Sequence, residues 1–206
     1  MKVQVGAVLA STRVLAVLLC SVAFVGFAQD GALDAPRPAV VVYFSNPASE
    51  RVWPAVDAAF AEELAQRGGE LMLPANLLLV TSSSLHLNSE FGRLITVHLQ
   101  GRCDVAEQAF RPVGRGPLGW VPEVSGEIQP FVYVNCDRLA QYLRPRLLGM
   151  NDDQRNNAMG TAIARIMLHE WLHITLQTAE HTSHGIRQAE LSANDLITPV
   201  APTPGN

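Results

Sequence analysis

Near the end of the chain a glutamate stands between two histidines in the order His169-Glu170-Trp171-Leu172-His173. Residues four apart share one face of a helix. The two imidazoles can therefore converge on a single Zn²⁺, at roughly 2.0–2.1 Å each. The glutamate between them can reach a water at that ion and take its proton. Zn²⁺ brings the pKa of such a water toward neutrality and polarises a carbonyl, so the group suits hydrolysis. Trp171 and Leu172 inside the pattern, and Leu168 and Ile174 beside it, supply apolar packing where charges would have meant a solvated face.

A catalytic zinc takes a third protein ligand. His181 is the first candidate, with His184, Glu180 and Glu190 as alternatives. On a continued helix His181 would lie about 12 Å further along the axis than His173, so this reading requires the chain to turn between about 177 and 180. Asp195 is a candidate to orient a ligand histidine, with helix capping as its other role. Tyr133, Tyr142 and His184 could each donate to an oxyanion, and none is assigned. His86 and His98 read as ordinary surface or strand residues.

The motif resembles that of the zincin metallopeptidases, which carry HExxH on a helix and complete the site downstream. The metzincin pattern is not met, since Leu176 stands at its glycine and Ala179 at its last histidine. Glu190 is near, but not on, the gluzincin spacing. More specifically, residues 158–196 resemble uncharacterised exported bacterial zincin-like proteins, with HExxH, then His181, Gly185 and Asp195-Leu196; the likeness is loose over 39–145. Arg187 stands where those proteins often carry methionine. The resemblance implies His169, His173 and His181 as zinc ligands and Glu170 as general base. It implies a peptidase acting on a peptide or protein, with no particular substrate named.

The elements that must position these residues follow from pattern. Residues 39–44 and 94–99 read as strands, and 131–134 as a third. Ser49 is expected to cap a helix over 50–67 that buries Val52, Val56, Phe60 and Leu64 and stops at Gly68-Gly69. Residues 70–80 are apolar but interrupted by Pro74. Residues 82–84 look like a loop, and 111–126 like a long loop holding a short strand. Asp137 is expected to cap a short helix to about Leu143, closed by Pro145. Asn151 or Asp152 opens the last long helix, with Ala158, Ala162, Ile163, Ile166, Met167 and Leu168 on its apolar side. The order predicts an α+β, zincin-like fold with one mixed sheet packed against the helix that carries HExxH.

Lys2 and Arg13 precede an apolar run, Val14 to Ala28, that ends in Gly26-Phe27-Ala28. That is a secretory signal over 1–28, cut after Ala28; the run falls short of the roughly 20 residues that span a bilayer. Residues 29–38 form a flexible lead-in, 39–197 the zincin-like domain and 198–206 a disordered tail. The protein is expected to be secreted or periplasmic, with no stable membrane insertion after cleavage. Its formal charge of −4 becomes more negative with the signal removed, which argues against nucleic acid as a partner. Past Lys2 every basic residue is arginine, which excludes lysine chemistry. Cys20 leaves with the signal, and Cys103 and Cys136 are expected to form a disulfide. The leading reading is an exported zinc-dependent peptidase. The alternatives are a non-catalytic exported zincin-fold binding module and a zinc hydrolase of non-peptide amides.

Overall fold

The computed structural model describes residues 37–69, 71–85, 90–103 and 114–198. The signal segment with its cleavage point, the lead-in as far as residue 36, His86 and the tail from residue 199 lie outside these residues, as does the first part of the 111–126 loop.

Strand β1 (Pro38–Phe44) leads through a 3-10 turn (Pro47–Val52) into helix α1 (Trp53–Arg67). Strands β2 (Leu78–Thr81) and β3 (Arg93–Gln100) follow, then β4 (Gly119–Trp120) and a hairpin of β5 (Glu123–Val124) and β6 (Glu127–Ile128). Strand β7 (Phe131–Asn135) runs directly into helix α2 (Cys136–Leu147), followed by helices α3 (Asp152–Leu176) and α4 (Ala193–Ile197). The sheet has five strands in the order β2-β1-β3-β7-β4. The first four run parallel, while β4 pairs antiparallel with β7 at the edge. The expected α+β layout with one mixed sheet is present.

Alternation along the strands decides which side chains face the core. Val40 and Val42, Val97 and Leu99, and Val132 and Val134 point to one face, where they meet Val56 and Phe60 of α1, Leu139 and Leu143 of α2, and Ile163 and Leu168 of α3. Each such apolar side chain contributes about 1.5–3 kcal/mol on burial. Gly160 of α3 packs so tightly on Ala55 of α1 that a Cβ would meet its backbone. The opposite face carries a ladder of stacked rings, Tyr43, His98, Tyr133 and Trp120, with centroids 5.1–5.2 Å apart. His98 is thus a strand residue, and Tyr133 lies on the side of the sheet away from α3.

Several local expectations change. The first turn is capped by Asn46, whose side chain accepts from Ala48 N–H. Ser49 is fully buried and accepts from Cys103 N–H at 2.9 Å while donating to Gly101 O, so its hydroxyl serves a long-range contact. Asn135, not Asp137, caps α2 by accepting from Arg138 N–H; Asp137 instead accepts from Arg102 N–H at 2.9 Å. Pro145 does not end α2, which continues to Leu147, because proline near a helix end forgoes only one backbone bond. Residues 78–81, read as part of an interrupted apolar stretch, form the parallel edge strand β2. Asn151 caps α3 in a reciprocal box with Gln154. Cys103 and Cys136 are joined in a disulfide, tying the loop after β3 to the start of α2. Among the described residues no helix is long and apolar enough to cross a membrane.

Candidate metal centre

His169 and His173 sit one turn apart near the end of α3, which the core holds through Ile163, Met167, Leu168, Trp171 and Leu172. Both rings are half-buried. Their Nε2 atoms are 3.1 Å apart. His169 Nδ1 lies 2.6 Å from Ile186 O, and His173 Nδ1 lies 2.6 Å from Thr178 O. A carbonyl only accepts, so each Nδ1 carries the proton and each Nε2 presents a lone pair. Two facing acceptors at that distance cannot hydrogen-bond one another, and the pair is arranged as it would be to share a metal ion. Two nitrogens at 2.0–2.1 Å from a tetrahedral ion would stand about 3.4 Å apart, close to the separation found.

The third ring arrives by the turn that the sequence required. Helix α3 ends at Leu176, and Gln177 adopts the left-handed conformation at φ 49° and ψ 44°. Its side chain holds the turn: Oε1 accepts from Ile128 N–H at 2.9 Å, and Nε2 donates to Ile128 O and Ile174 O. The chain then folds back, and the His181 ring comes to 5.3 Å from that of His169 and 4.9 Å from that of His173, centroid to centroid. One nitrogen from each of the three histidines lies within 4.8 Å of the others, which is a group able to hold a metal ion. Among the described residues no other trio of His, Cys, Asp or Glu does so. His184 is exposed, with Nδ1 beside the Ser183 hydroxyl, and Glu180 and Glu190 stand outside the group.

Burial lowers the His169 pKa to about 4; a hydrogen bond to Ile186 opposes this, and the neighbouring His173 and His181 add to it. His181 is lowered by desolvation, then by His173 and Arg187. Both shifts keep the imidazoles neutral and able to donate lone pairs to a metal. Burial raises Glu170 to about 7; its side chain is only 6% exposed. Gly119 of β4 lies directly against it, and a Cβ on Gly119 would stand 3.1 Å from Glu170 Oε1. A cavity of about 710 Å³ opens beside His169 and Glu170.

The Nδ1 partners of His169 and His173 are backbone carbonyls, a feature that residue types do not announce. Asp195 plays the capping role: it completes a box with Ser192 at the start of α4 and accepts from Gln188, and its pKa falls chiefly through its bonds to Ser192. Tyr142 donates its hydroxyl proton to Leu191 O at 3.0 Å. Sequence reasoning also missed Arg165, one turn before His169 and buried. Its Nε donates to Glu63 at 2.6 Å and its Nη1 to Asp195 O at 2.7 Å. This ties α1, α3 and the segment carrying the third ring together. No family model, curated protein or solved structure matches the chain.

Proposed function

We propose that the chain is an exported zinc-dependent peptidase of the zincin type, with His169, His173 and His181 holding the metal and Glu170 as its general base. The observation that carries the reading is the convergence of three imidazoles beside a buried carboxylate at the mouth of a cavity. All-nitrogen ligation of this kind suits Zn²⁺. When bound, the ion supplies Lewis acidity, polarising a substrate carbonyl and acidifying water. Glu170, with its pKa near 7, is matched to take a proton from the attacking water and return it to the departing amine. The backbone carbonyls of Ile186 and Thr178 keep the first two rings in one tautomer and one orientation. Strand β4 is the antiparallel edge of the sheet nearest Glu170, and an extended peptide pairing along it would pass the carboxylate. Export rests on the signal segment in the sequence, and the Cys103–Cys136 disulfide suits an oxidising compartment.

Elemental analysis of the purified protein and cleavage of a mixed peptide library test this. The expectation is one zinc per chain, lost in His181→Ala. Glu170→Gln should keep the metal and lose cleavage by at least about 100-fold. Cleavage that persists in Glu170→Gln would overturn the role of the base. Bound zinc with no peptide cut would favour the non-catalytic binding module or a non-peptide amide substrate.

A further inference from the structure

A cavity of about 550 Å³, other than the one beside Glu170, lies between the end of α1, Arg165 of α3 and the segment from His184 to Thr198. Arg165 lines it, although that residue is only 5% exposed. Two of the three guanidinium nitrogens are spent on the protein: Nε donates to Glu63 at 2.6 Å and Nη1 to Asp195 O at 2.7 Å. Among the described residues Nη2 has no acceptor. A buried donor without a partner is costly, so Nη2 is the group that an occupant of the cavity would satisfy. His184 stands in the same lining. The Ser183 hydroxyl meets its Nδ1 at 3.1 Å, which leaves Nε2 for a further partner. Arg67 adds a second cation, 3.5 Å from Glu63 Oε2, and Asn194 and Thr198 add polar groups. Asp195 is the acid in the lining, and its Oδ2 already accepts from Ser192 N–H and from the Gln188 amide. Buried Ile186 and half-buried Leu191 are the apolar members.

We infer that this cavity binds the carboxylate of a small apolar acid, with Arg165 Nη2 and His184 as its donors, and that the occupant strengthens the hold on a metal at the three histidines. The site stands on the cavity alone; only the coupling rests on the metal reading above. A volume of about 550 Å³ lies within the range of about 300–1,000 Å³ usual for ligand sites. Charge selects a monoanion. Glu63 offsets Arg165, and Asp195 offsets Arg67, so a phosphate dianion would find no surplus of cations. A single carboxylate is held instead by charge-assisted hydrogen bonds, while its apolar body covers Ile186 and Leu191. The coupling follows from Ile186. Its carbonyl lies 2.6 Å from His169 Nδ1, and the same residue lines the cavity. A ligand packed on Ile186 and bonded to Arg165 braces this segment against α3. By linkage, a metal at the histidines then tightens the ligand by the same factor.

The test titrates the metal-free full chain with N-acetylvaline and with its uncharged amide, N-acetylvalinamide. Calorimetry gives affinity, and backbone NMR reports on Gly185, Asn194 and Thr198. N-acetylvaline is expected to bind at least about tenfold more tightly than the amide, the size of one charge-assisted hydrogen bond, and to shift those three signals. Acetyl-Ala-Ala-Val separates two sources of the carboxylate: tighter binding than N-acetylvaline points to a peptide C-terminus and weaker binding to a free acid, and either supports the site. Arg165→Lys keeps a charge beside Glu63 but lacks the third nitrogen, and it should lose about tenfold or more. His184 is exposed, so His184→Ala should fold and lose a similar factor, which decides the matter even if Arg165→Lys does not fold. Saturating N-acetylvaline should raise zinc affinity about fivefold, and His184→Ala should abolish that rise. No binding, equal binding of acid and amide, or binding that survives His184→Ala would each overturn the site. A zinc affinity that N-acetylvaline leaves unchanged would overturn the coupling. A chain that binds N-acetylvaline as expected but takes up no zinc would count against the metal reading, and with it the coupling, and leave the site standing.

Discussion

The three-histidine group is held by two regions built on different physics. Helix α3 presents His169 and His173 from a stretch packed into the core on most sides, so two of the three rings are placed by apolar burial. The segment from Gln177 to Asp195 presents His181 and the two carbonyls of Ile186 and Thr178 from an irregular backbone. That segment is held mainly by polar contacts: the Gln177 amide on Ile128, the Thr182 N–H on Arg187 O, and Arg165 on Asp195 O. Ile186 is its main buried apolar anchor before Leu196. Damage to the first region should therefore be read in stability, and damage to the second in metal affinity. A core spreads its loss over many contacts, whereas a hydrogen bond lost from the second region moves a particular ligand.

The largest effect is expected where the two regions meet. Arg165→Met leaves Glu63 buried, facing only Arg67 at 3.5 Å. Breaking a buried pair in this way costs about 3–5 kcal/mol. It also frees Asp195 O, so zinc affinity should fall together with stability. Adding Glu63→Met should restore much of the stability, since apolar replacement of both partners is often neutral, but should not restore the bond to Asp195. Ile163→Ala is the contrast: buried in α3 and apart from the metal segment, it should cost about 2–5 kcal/mol with zinc affinity unchanged. Urea denaturation and a competitive zinc titration on the four proteins give both readings. A zinc affinity that falls equally in Ile163→Ala and Arg165→Met would erase the distinction between the two regions.

The same division explains what could be read from the residues. Helix α3, its Asn151 cap and the histidine pair were legible because helix periodicity, capping and the i,i+4 spacing are local. Strands β1, β3 and β7 were legible as runs of branched and aromatic residues. His181 was reached from the residues only as a choice among donors, because what brings it in is a left-handed Gln177 secured by its amide on Ile128, far away in sequence. The orienting partners escaped, since Ile186 O and Thr178 O are carbonyls that any residue would supply. Ser49 was misread as a cap because a serine hydroxyl before a helix looks alike whether it bonds locally or, as here, to Gly101 and Cys103. Strand β2 was hidden because it is short and partly exposed at the sheet edge, where neither a continuous apolar run nor clean alternation is needed.

A smaller effect of opposite sign is expected at Glu170, a carboxylate that α3 buries at a cost to folding. Its folded pKa is raised from 4.5 to about 7, so the folded state holds the proton more tightly than the unfolded chain. The cost is absent below about pH 4.5, grows as pH rises through the interval to 7 and is constant above it. In metal-free protein at pH 8, Glu170→Gln should therefore be more stable than the parent by on the order of 2–3 kcal/mol. At pH 4 the two should match. The lowered His169 and His181 act the other way, removing stability as pH falls below 6.5, but they are common to both proteins and cancel in the difference. A gain at pH 8 no larger than that at pH 4 would show that Glu170 is not desolvated.

The finest cut is Gln177→Gly. Glycine adopts the left-handed conformation without the strain of about 1–2 kcal/mol that a side chain bears there, so it relieves the turn. It also deletes the amide that accepts from Ile128 N–H and donates to Ile128 O and Ile174 O, each bond worth about 1 kcal/mol, and it adds unfolded-chain freedom. The losses exceed the relief, and the net loss of stability should be about 2 kcal/mol. Zinc affinity should fall as well, by roughly tenfold, the lower end of the loss when a ligand histidine loses its orienting partner. Thr178 O follows the altered residue directly, and its hold on His173 Nδ1 loosens with the turn. Gln177→Ala keeps the strain and loses the same bonds, so it should be the less stable of the two while losing zinc affinity to the same degree. Should zinc affinity instead track stability across the pair, the turn would act on the site only through folding, and the polar segment would have no separate control over the metal.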